Sequence, residues 1–322
     1  MLRKVITYIG YPALITVIVL CLVAVAQAAT GNIDAVDKWA WGTNVGWINF
    51  NPTHGGVTVY SDHLEGYAWG ENIGWIRLGS YDGGGEHTYA NTAADNYGVN
   101  RDANGNLSGY AWGSNVGWIN FNPSHSQVTI DPTNGRFDGY AWAENVGWIH
   151  FQNASPAYKV NTTWRGDLTA TYQNNVAAIT TRQPGPSSSG GLTIADSSFL
   201  QDSGDGIIFG HDNGSGTTTA DCPNGVNSRW QRVWQFDVND GSGTTGGNVN
   251  LTFDFSDAGI GGTPSGNYTL LKRSGETGDF SGVATTSSIS GDQVIFNNVD
   301  TSNLGSYFTL GEGTPTAVTL AR

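Results

Sequence analysis

The chain has 322 residues and a formal net charge of −13, with 46 glycines, 12 tryptophans and only 13% charged residues. Strong helix formers are scarce, which excludes a mainly helical protein, and so many aromatic residues argue against disorder. The acidic balance argues against nucleic acid and against anionic membranes as partners. Aromatic and β-branched residues mixed with Gly and Asn predict an all-β fold of short strands and tight turns.

A targeting segment, 1–28, opens the chain. Arg3 and Lys4 precede a long apolar stretch, and the sequence A-Q-A ending at Ala28 supplies the small-x-small cleavage pattern. We expect a signal peptide that is cleaved after Ala28, and therefore a secreted or cell-surface protein. An uncleaved membrane anchor is the alternative, because the apolar stretch is long for a signal peptide. The membrane would then be a partner through this segment alone.

Residues 29–183 contain four copies of the motif A-W-[GA]-x-N-[VI]-G-W-I. The copies begin at Ala40, Ala68, Ala111 and Ala141. Copies one and three continue as N-F-N-P-[TS]-H, whereas copies two and four carry a glutamate in the turn, Glu71 and Glu144. The repeated unit is therefore a pair of motifs that is duplicated once.

Each copy predicts a β-hairpin. In the second copy Tyr67 and Trp69 fall on one face of a strand, because side chains alternate with period two. Asn72 and Gly74 supply the turn, and Trp75 on the return strand can pair with Trp69 across it. Short strands at V-T-V and V-T-I precede the even copies. The repeats therefore predict a β-meander repeat domain.

The remainder of the chain predicts a second domain. The sequence Y-K-V at Tyr158 reads as the start of a fading fifth unit, and the Pro-, Ser- and Gly-rich segment 184–192 reads as a linker. Residues 193–313 predict a β-sandwich domain, followed by a tail, 314–322. Its strands are expected near Ile207, Val233, Leu251, Tyr268, Val294 and Tyr307.

Several stretches of this second domain resemble a β-sandwich module of secreted bacterial surface proteins. They are N-S-R-W-Q-R-V-W-Q-F from Asn227, V-N-L-T-F-D-F-S from Val249, Y-T-L-L-K-R-S from Tyr268 and Y-F-T-L-G from Tyr307. The A-W-G-x-N-x-G-W-I motifs are likewise similar to repeats of bacterial surface proteins. The resemblance implies a surface or secreted protein and no catalytic residues.

The aromatic residues of the repeats are the candidate ligand-binding residues. Aromatic rings can stack on the apolar faces of sugar rings while nearby polar groups bond the hydroxyls. The alternative is that the rings fill the core; the sequence favours the core for most of them, with the tyrosines before each hairpin the most exposed. The candidates are Tyr67, Trp69, Trp75, Tyr110, Trp112, Trp118, Tyr140, Trp142 and Trp148.

No residue set reads as a catalytic site, and neither H-E-x-x-H nor G-x-S-x-G occurs. Glu71 and Glu144 are copies of one turn position, so solvated turns explain them better than an acid–base pair. Asp-rich turns resemble loose calcium loops but complete no EF-hand pattern, so we expect no metal site and no cofactor, with structural calcium as the one option. These turns start at Asp102, Asp131, Asp202, Asp237 and Asp254.

The sequence thus favours a non-enzymatic extracellular or cell-surface protein for adhesion, with glycans as the ligand class. Several weak sites on one chain would raise the overall avidity. Three alternatives stay open. The first is a structural subunit of a surface layer or filament that self-associates through strand edges. The second is an accessory module of a polysaccharide-degrading system, and the third is an enzyme with an unrecognised site.

Overall fold

A computed structural model describes residues 30–241, 243–285 and 288–314. The predicted signal peptide and residues 315–322 of the predicted tail lie outside these ranges. The described residues form an all-β structure, as the composition predicts, with two short 3-10 turns at Ala170–Tyr172 and Thr301–Asn303. Among them, no helix has the length and apolar character needed to cross a membrane.

The N-terminal domain contains fourteen strands. They are β1 (Gly31–Gly42), β2 (Gly46–Asn49), β3 (Gly56–Val59), β4 (Leu64–Gly70), β5 (Gly74–Arg77), β6 (Val99–Arg101), β7 (Leu107–Gly113), β8 (Gly117–Asn120), β9 (Thr129–Ile130), β10 (Phe137–Asp138), β11 (Tyr140–Ala143), β12 (Gly147–His150), β13 (Gln152–Ala154) and β14 (Ala157–Thr162).

The four motifs form four antiparallel hairpins, β1–β2, β4–β5, β7–β8 and β11–β12. Neighbouring hairpins pair through β2–β4, β5–β7 and β8–β11. The last strand returns to the first, with Trp41 opposite His150 and Gly42 opposite Ile149. The predicted meander therefore closes into an eight-stranded barrel, and closure satisfies the backbone edges that an open meander would expose.

A third short segment follows the two strands of each hairpin and forms a hydrogen bond to the end of that hairpin. Val57, Val99, Val128 and Val160 each donate their backbone N–H to the apolar residue that ends the preceding hairpin, over 2.9–3.0 Å. Tyr158-Lys159-Val160 supplies this segment for the fourth hairpin. The prediction that it opens a fading fifth unit is therefore wrong, because its partners lie in the fourth unit and in β1.

The hairpins turn the opposite face inward from the one that the sequence favoured. The motif alanines and isoleucines point into the barrel and are at most 2% exposed, and the apolar residue that ends each hairpin joins them. The indoles alternate with these residues and therefore point outward. The prediction that most indoles form the core is wrong for the motif tryptophans, because the interior of the barrel is already filled by the alternating motif alanines and isoleucines and by the residue that ends each hairpin. The inward set is Ala40, Ile48, Ala68, Ile76, Ala111, Ile119, Ala141 and Ile149.

The motif asparagines link the turns into a ring. Asn72 Nδ2 donates to Val45 O of the preceding hairpin over 3.1 Å, and the other three asparagines repeat the bond over 2.9–3.2 Å. Asn44 closes the ring by donating to Val146 O of the last hairpin. The motif asparagine thus fixes each hairpin to its neighbour, in addition to shaping its own turn.

We expect the substitution Asn72→Ala to lower the free energy of unfolding of the barrel by about 1 kcal/mol, since one hydrogen bond is lost and a carbonyl loses its partner. Urea unfolding followed by tryptophan fluorescence measures this change, because ten of the 12 tryptophans lie in the barrel domain. Ser114→Ala, at an exposed position of an equivalent turn, is the matched control. Equal stabilities of the two variants would contradict the role of the ring.

The described residues of the C-terminal domain form thirteen strands. They are β15 (Asn174–Thr180), β16 (Ser187–Ser189), β17 (Leu192–Asp196), β18 (Gly206–His211), β19 (Thr217–Thr218), β20 (Val226–Trp230), β21 (Trp234–Asn239), β22 (Asn248–Asp254), β23 (Tyr268–Arg273), β24 (Ser281–Ala284), β25 (Ser288–Ser290), β26 (Gln293–Asp300) and β27 (Tyr307–Gly313).

These strands form two sheets around one core. One sheet joins β15, β18, β21, β27, β20 and β19, with β23 beside β27 and β24 beside β23, and the other runs β16-β17-β22-β26-β25. Phe209 and Phe308 of the first sheet share a buried cluster with Leu251, Phe253 and Phe296 of the second. All six expected strand regions fall on strands of this β-sandwich.

The predicted linker, 184–192, is wrong over most of its length. Ser187–Ser189 forms β16, which pairs with β17, and the Ser189 carbonyl accepts a 2.8 Å hydrogen bond from the Trp234 indole. The sandwich also begins earlier than residue 193, because β15 pairs with β18. Composition indicated a linker, but Gly190 and Gly191 form the turn of a β16–β17 hairpin, and β17 in turn pairs with the distant β22.

A buried arginine lies where the two domains meet. Arg101 on β6 is 3% exposed, and its guanidinium lies 4.0 Å from the Trp164 ring centroid. Its Nη2 is 3.6 Å from Asp167 Oδ1. Asp237 on β21 in turn accepts the backbone N–H of Asp167 over 3.0 Å. These residues connect the barrel to the sandwich through a cluster of charged groups.

Candidate functional site

Twelve aromatic side chains point outward around the barrel, three from each hairpin, and we call them the aromatic belt. Ten of them are 36–43% exposed, and Trp41 and Trp118 are half-buried. The belt consists of Trp39, Trp41, Trp47, Tyr67, Trp69, Trp75, Tyr110, Trp112, Trp118, Tyr140, Trp142 and Trp148. All nine predicted ligand-binding residues belong to it, and the predicted exposure of the three tyrosines is confirmed. Their role in binding stays a prediction.

Tryptophans face each other across every hairpin. Trp69 and Trp75 are direct register partners with ring centroids 4.8 Å apart and an interplanar angle of 64°. The third and fourth hairpins repeat this edge-to-face pairing at 4.6 and 4.8 Å. Such pairs stabilise adjacent strands, so the indoles have a structural role although they lie outside the core.

A polar side chain interrupts the belt between each pair of neighbouring hairpins. Asn49, Arg77, Asn120 and His150 occupy the same motif position, and each lies in register between two aromatic residues. His150, for example, pairs with Tyr140 on one side and Trp41 on the other. The belt therefore alternates flat apolar faces with groups that can donate or accept hydrogen bonds.

The junction of the fourth and first hairpins holds a cleft of about 450 Å³, which we call the His150 cleft. Its aromatic walls are Trp41, Trp47, Tyr140, Trp148 and Tyr158. The His150 ring stacks on Tyr140 with centroids 4.0 Å apart, and its Nδ1 lies 3.1 Å from the Tyr158 hydroxyl. This volume is in the range of small-ligand pockets.

Burial controls the charge of the polar groups in this cleft. It lowers the pKa of His150 below its ordinary value of 6.5, so the imidazole is neutral at neutral pH. Burial likewise raises the pKa of the Tyr158 phenol, which therefore keeps its proton. The cleft thus offers uncharged donors and acceptors beside aromatic faces, a combination suited to hydroxyl groups.

Two further clefts lie along the belt. The Glu71 cleft, of about 470 Å³, is lined by Trp39, Trp47, Tyr158 and Glu71. The Glu144 cleft, of about 370 Å³, is lined by Tyr97, Tyr110, Trp118 and Glu144. Both glutamates, which the sequence places in solvated turns, are indeed exposed, but each lies at the rim of an aromatic cleft.

Sequence reasoning missed several residues of these clefts. The predicted set contains no residue of the first hairpin, where Trp39 takes the place that a tyrosine has in the other three. Tyr97 and Tyr158 lie outside the motif, although both stand two residues before a valine, Val99 and Val160. That shared Y-x-V was the one available signal.

The Asp-rich segments form turns in which the aspartate carboxylates bond the backbone. The carboxylates of Asp102, Asp131 and Asp254 each accept a backbone N–H from their own turn, over 2.9–3.0 Å. Asp237 instead belongs to the junction of the domains. Across 30–241, 243–285 and 288–314, no group of three or more His, Cys, Asp or Glu side chains is arranged to hold a metal ion.

Fold and site together define the class: an all-β protein whose closed barrel carries an exterior aromatic belt and whose C-terminal half is a β-sandwich. Residues 192–305, from the start of β17 to the turn before β27, match a protein family described as a domain of unknown function (DUF8202). No curated protein and no solved structure matches the chain. The family match concerns the sandwich, whereas the candidate site lies on the barrel.

Proposed function

We propose that this chain is a non-enzymatic extracellular or cell-surface protein for adhesion, which binds glycans through the aromatic belt. The observation that carries the proposal is the outward position of twelve aromatic rings on a barrel whose core is already filled by other apolar residues. Contiguous exposed apolar surface of this kind marks interaction sites. Polar side chains between the rings favour a ligand that combines apolar faces with hydroxyls, as sugars do. The resemblance to bacterial surface proteins agrees with this proposal.

The experiment is a glycan panel titrated into the full chain, with tryptophan fluorescence as the readout. Ligand stacking on belt indoles is expected to shift or quench their emission. Hydrolysis of any panel glycan would refute the non-enzymatic part of the proposal. A flat response to every glycan would refute the binding part.

We expect Trp148→Ala, in the His150 cleft, to weaken binding of a responding glycan by about tenfold or more, since a stacked ring in a binding site contributes about 1–2 kcal/mol or more. Trp75→Ala is the matched control: it removes the indole at the same motif position, of similar exposure (41% against 40%), from a similar Trp pair, and neither Trp75 nor its partner Trp69 lines any of the three clefts. Calorimetric titration compares the two affinities. Equal losses would argue against the cleft.

Assembly through strand edges is the second candidate, and one observation favours it. The edge strand β25, Ser288–Ser290, is exposed and presents Ile289, which is 40% exposed. The eight strands of the closed barrel offer no comparable edge, so assembly would proceed through the sandwich. Light scattering of the chain over a range of concentrations tests it; ordered polymers without a glycan response would favour this alternative.

A further inference from the structure

The Glu71 and Glu144 clefts have the same construction. In each, a central indole from an odd hairpin is met nearly at right angles by a tyrosine: Trp47 by Tyr158 (5.2 Å, 86°) and Trp118 by Tyr97 (5.0 Å, 76°). A second ring, at the motif position before the hairpin, also stands nearly perpendicular to that indole at 6.2–6.4 Å. Three walls of each cleft are therefore aromatic.

Three consecutive units build each cleft. The tyrosine comes from the third segment of the even unit before, two residues ahead of Val99 or Val160. The two other rings come from the odd hairpin, and the glutamate comes from the turn of the even hairpin after it. In the odd units, Gly55 and Ser126 stand where the tyrosines would be. The pair duplication thus produces one complete cleft per pair, two in all.

The glutamates are free to bind a ligand. Glu71 and Glu144 are exposed, and neither makes a hydrogen bond or ion pair within the described part of the chain. The other charged side chains along the Glu71 cleft, Asp37 and Lys159, form an ion pair with each other at 3.0 Å. Glu144 is the charged group among the described residues that line its cleft. Each cleft therefore carries one uncompensated negative charge beside aromatic faces.

Aromatic faces and a carboxylate together select a cation, because the negative face of a ring and the carboxylate both attract positive charge. The net charge of −13 adds to this preference. We propose that the Glu71 and Glu144 clefts are two equivalent sites for a glycan that carries a free ammonium group, an amino sugar without its acetyl group. The inference rests on the proposed glycan binding and adds the class of sugar and the number of sites.

The test titrates the full chain with a short glucosamine oligomer and, separately, with the N-acetylated oligomer of the same length, at mildly acidic pH. We expect the charged oligomer to bind at two sites per chain and about tenfold more tightly, since one charge-assisted hydrogen bond is gained. Calorimetry provides both the affinity and the number of sites. The preference should weaken as salt is added, because part of it is electrostatic.

Three variants locate the effect. Glu71→Gln and Glu144→Gln should each remove one of the two high-affinity sites, and the double variant should lose the preference while it binds the acetylated oligomer as before. Glu86→Gln, the same substitution at an exposed position away from both clefts, should leave both titrations unchanged. Equal affinity for the two oligomers, or a preference that survives the double variant, overturns the inference while glycan binding stands. A flat response of the chain to both oligomers and to the whole glycan panel overturns both.

Discussion

The substitution Arg101→Met is expected to lower the free energy of unfolding by about 3–5 kcal/mol, because it removes a fully buried guanidinium whose partners are two backbone carbonyls and the partly exposed Asp167. The Arg101 guanidinium donates from Nε to Tyr60 O over 2.7 Å and from Nη1 to Asp102 O over 2.9 Å. Methionine fills a similar volume but leaves those carbonyls without this donor. It also leaves Asp167 and Asp237 at the junction without the cation that faces them.

The size of this loss should depend on pH. Burial, and to a lesser extent the negative charge of the neighbouring Asp167, raises the pKa of Asp237 to about 6. Its carboxyl is therefore protonated more readily in the folded chain than in the unfolded chain, and stability falls as the pH rises through about 6. Without Arg101 the ionised form becomes still less favourable. We therefore expect a larger loss above this pH than below it.

Urea unfolding of wild type and Arg101→Met at about pH 5 and at about pH 7.5, either side of that transition, measures this dependence. His211, whose pKa burial lowers to about 4, destabilises the fold as the pH falls, but it does so in both proteins and cancels in the difference. The double variant Arg101→Met/Asp237→Asn should recover part of the loss at the higher pH. Arg77→Met, which removes an arginine paired at the surface with Asp82, is the control and should cost about 1 kcal/mol or less. A loss that is the same at both pH values would contradict the electrostatic account.

The substitution Gly139→Ala should destabilise the barrel by about 3–5 kcal/mol, through backbone strain and overpacking. Gly139 has φ of +89°, and a Cβ there would lie 2.1 Å from the Gln127 carbonyl oxygen. Gly66 and Gly109, the same position in two other units, have φ of +94° and +83° with a carbonyl oxygen at 2.0 and 2.2 Å. The glycine of G-Y-A-W is thus where the strand passes close to the backbone of the preceding segment.

Gly85→Ala separates the two contributions. Gly85 also has a left-handed φ, +76°, but nothing lies within 4 Å of the place that an alanine methyl group would take. Its substitution should therefore cost only the conformational strain, about 1 kcal/mol. Thermal unfolding followed by tryptophan fluorescence compares both variants with wild type. A Tm for Gly139→Ala no lower than that for Gly85→Ala would show that the close backbone approach has no energetic consequence.

The hairpins could be predicted residue by residue from the sequence. Period-two alternation places Tyr67 with Trp69 and Ile76 with Leu78, and the turn chemistry of Gly74, with φ of +77°, fixes the register in which Trp69 meets Trp75. These are local properties, because the paired residues lie within about ten positions of each other. Alternation separates two faces but does not say which of them is inward. The closed ring decides that, since its interior is filled by the motif alanines and isoleucines and by the apolar residue that ends each hairpin, which leaves the motif indoles outside.

For the same reason, the sequence predicts many residues of the candidate site but not how they are arranged. The nine proposed aromatic residues all lie on one outer belt, because the three motif positions that they occupy share one face of each hairpin. Their arrangement into clefts depends on contacts between residues far apart in the sequence. Tyr158 contacts Trp47 of the first hairpin, and Glu144 lines the same cleft as Trp118 of the third. The sequence of a single motif carries no information about which residues of other units will lie beside it.

What the sequence determined by itself was the all-β class, the four hairpins, their duplication as pairs and the aromatic candidates. What only the tertiary structure decided was closure, orientation and the use of the segment 184–192. Closure pairs Trp41 with His150 and Asn44 with Val146, and it turns the four similar hairpins into a ring. The physical reason is that strand pairing satisfies backbone groups wherever a partner edge is available. That partner can lie far away in the chain, so local composition does not reveal it.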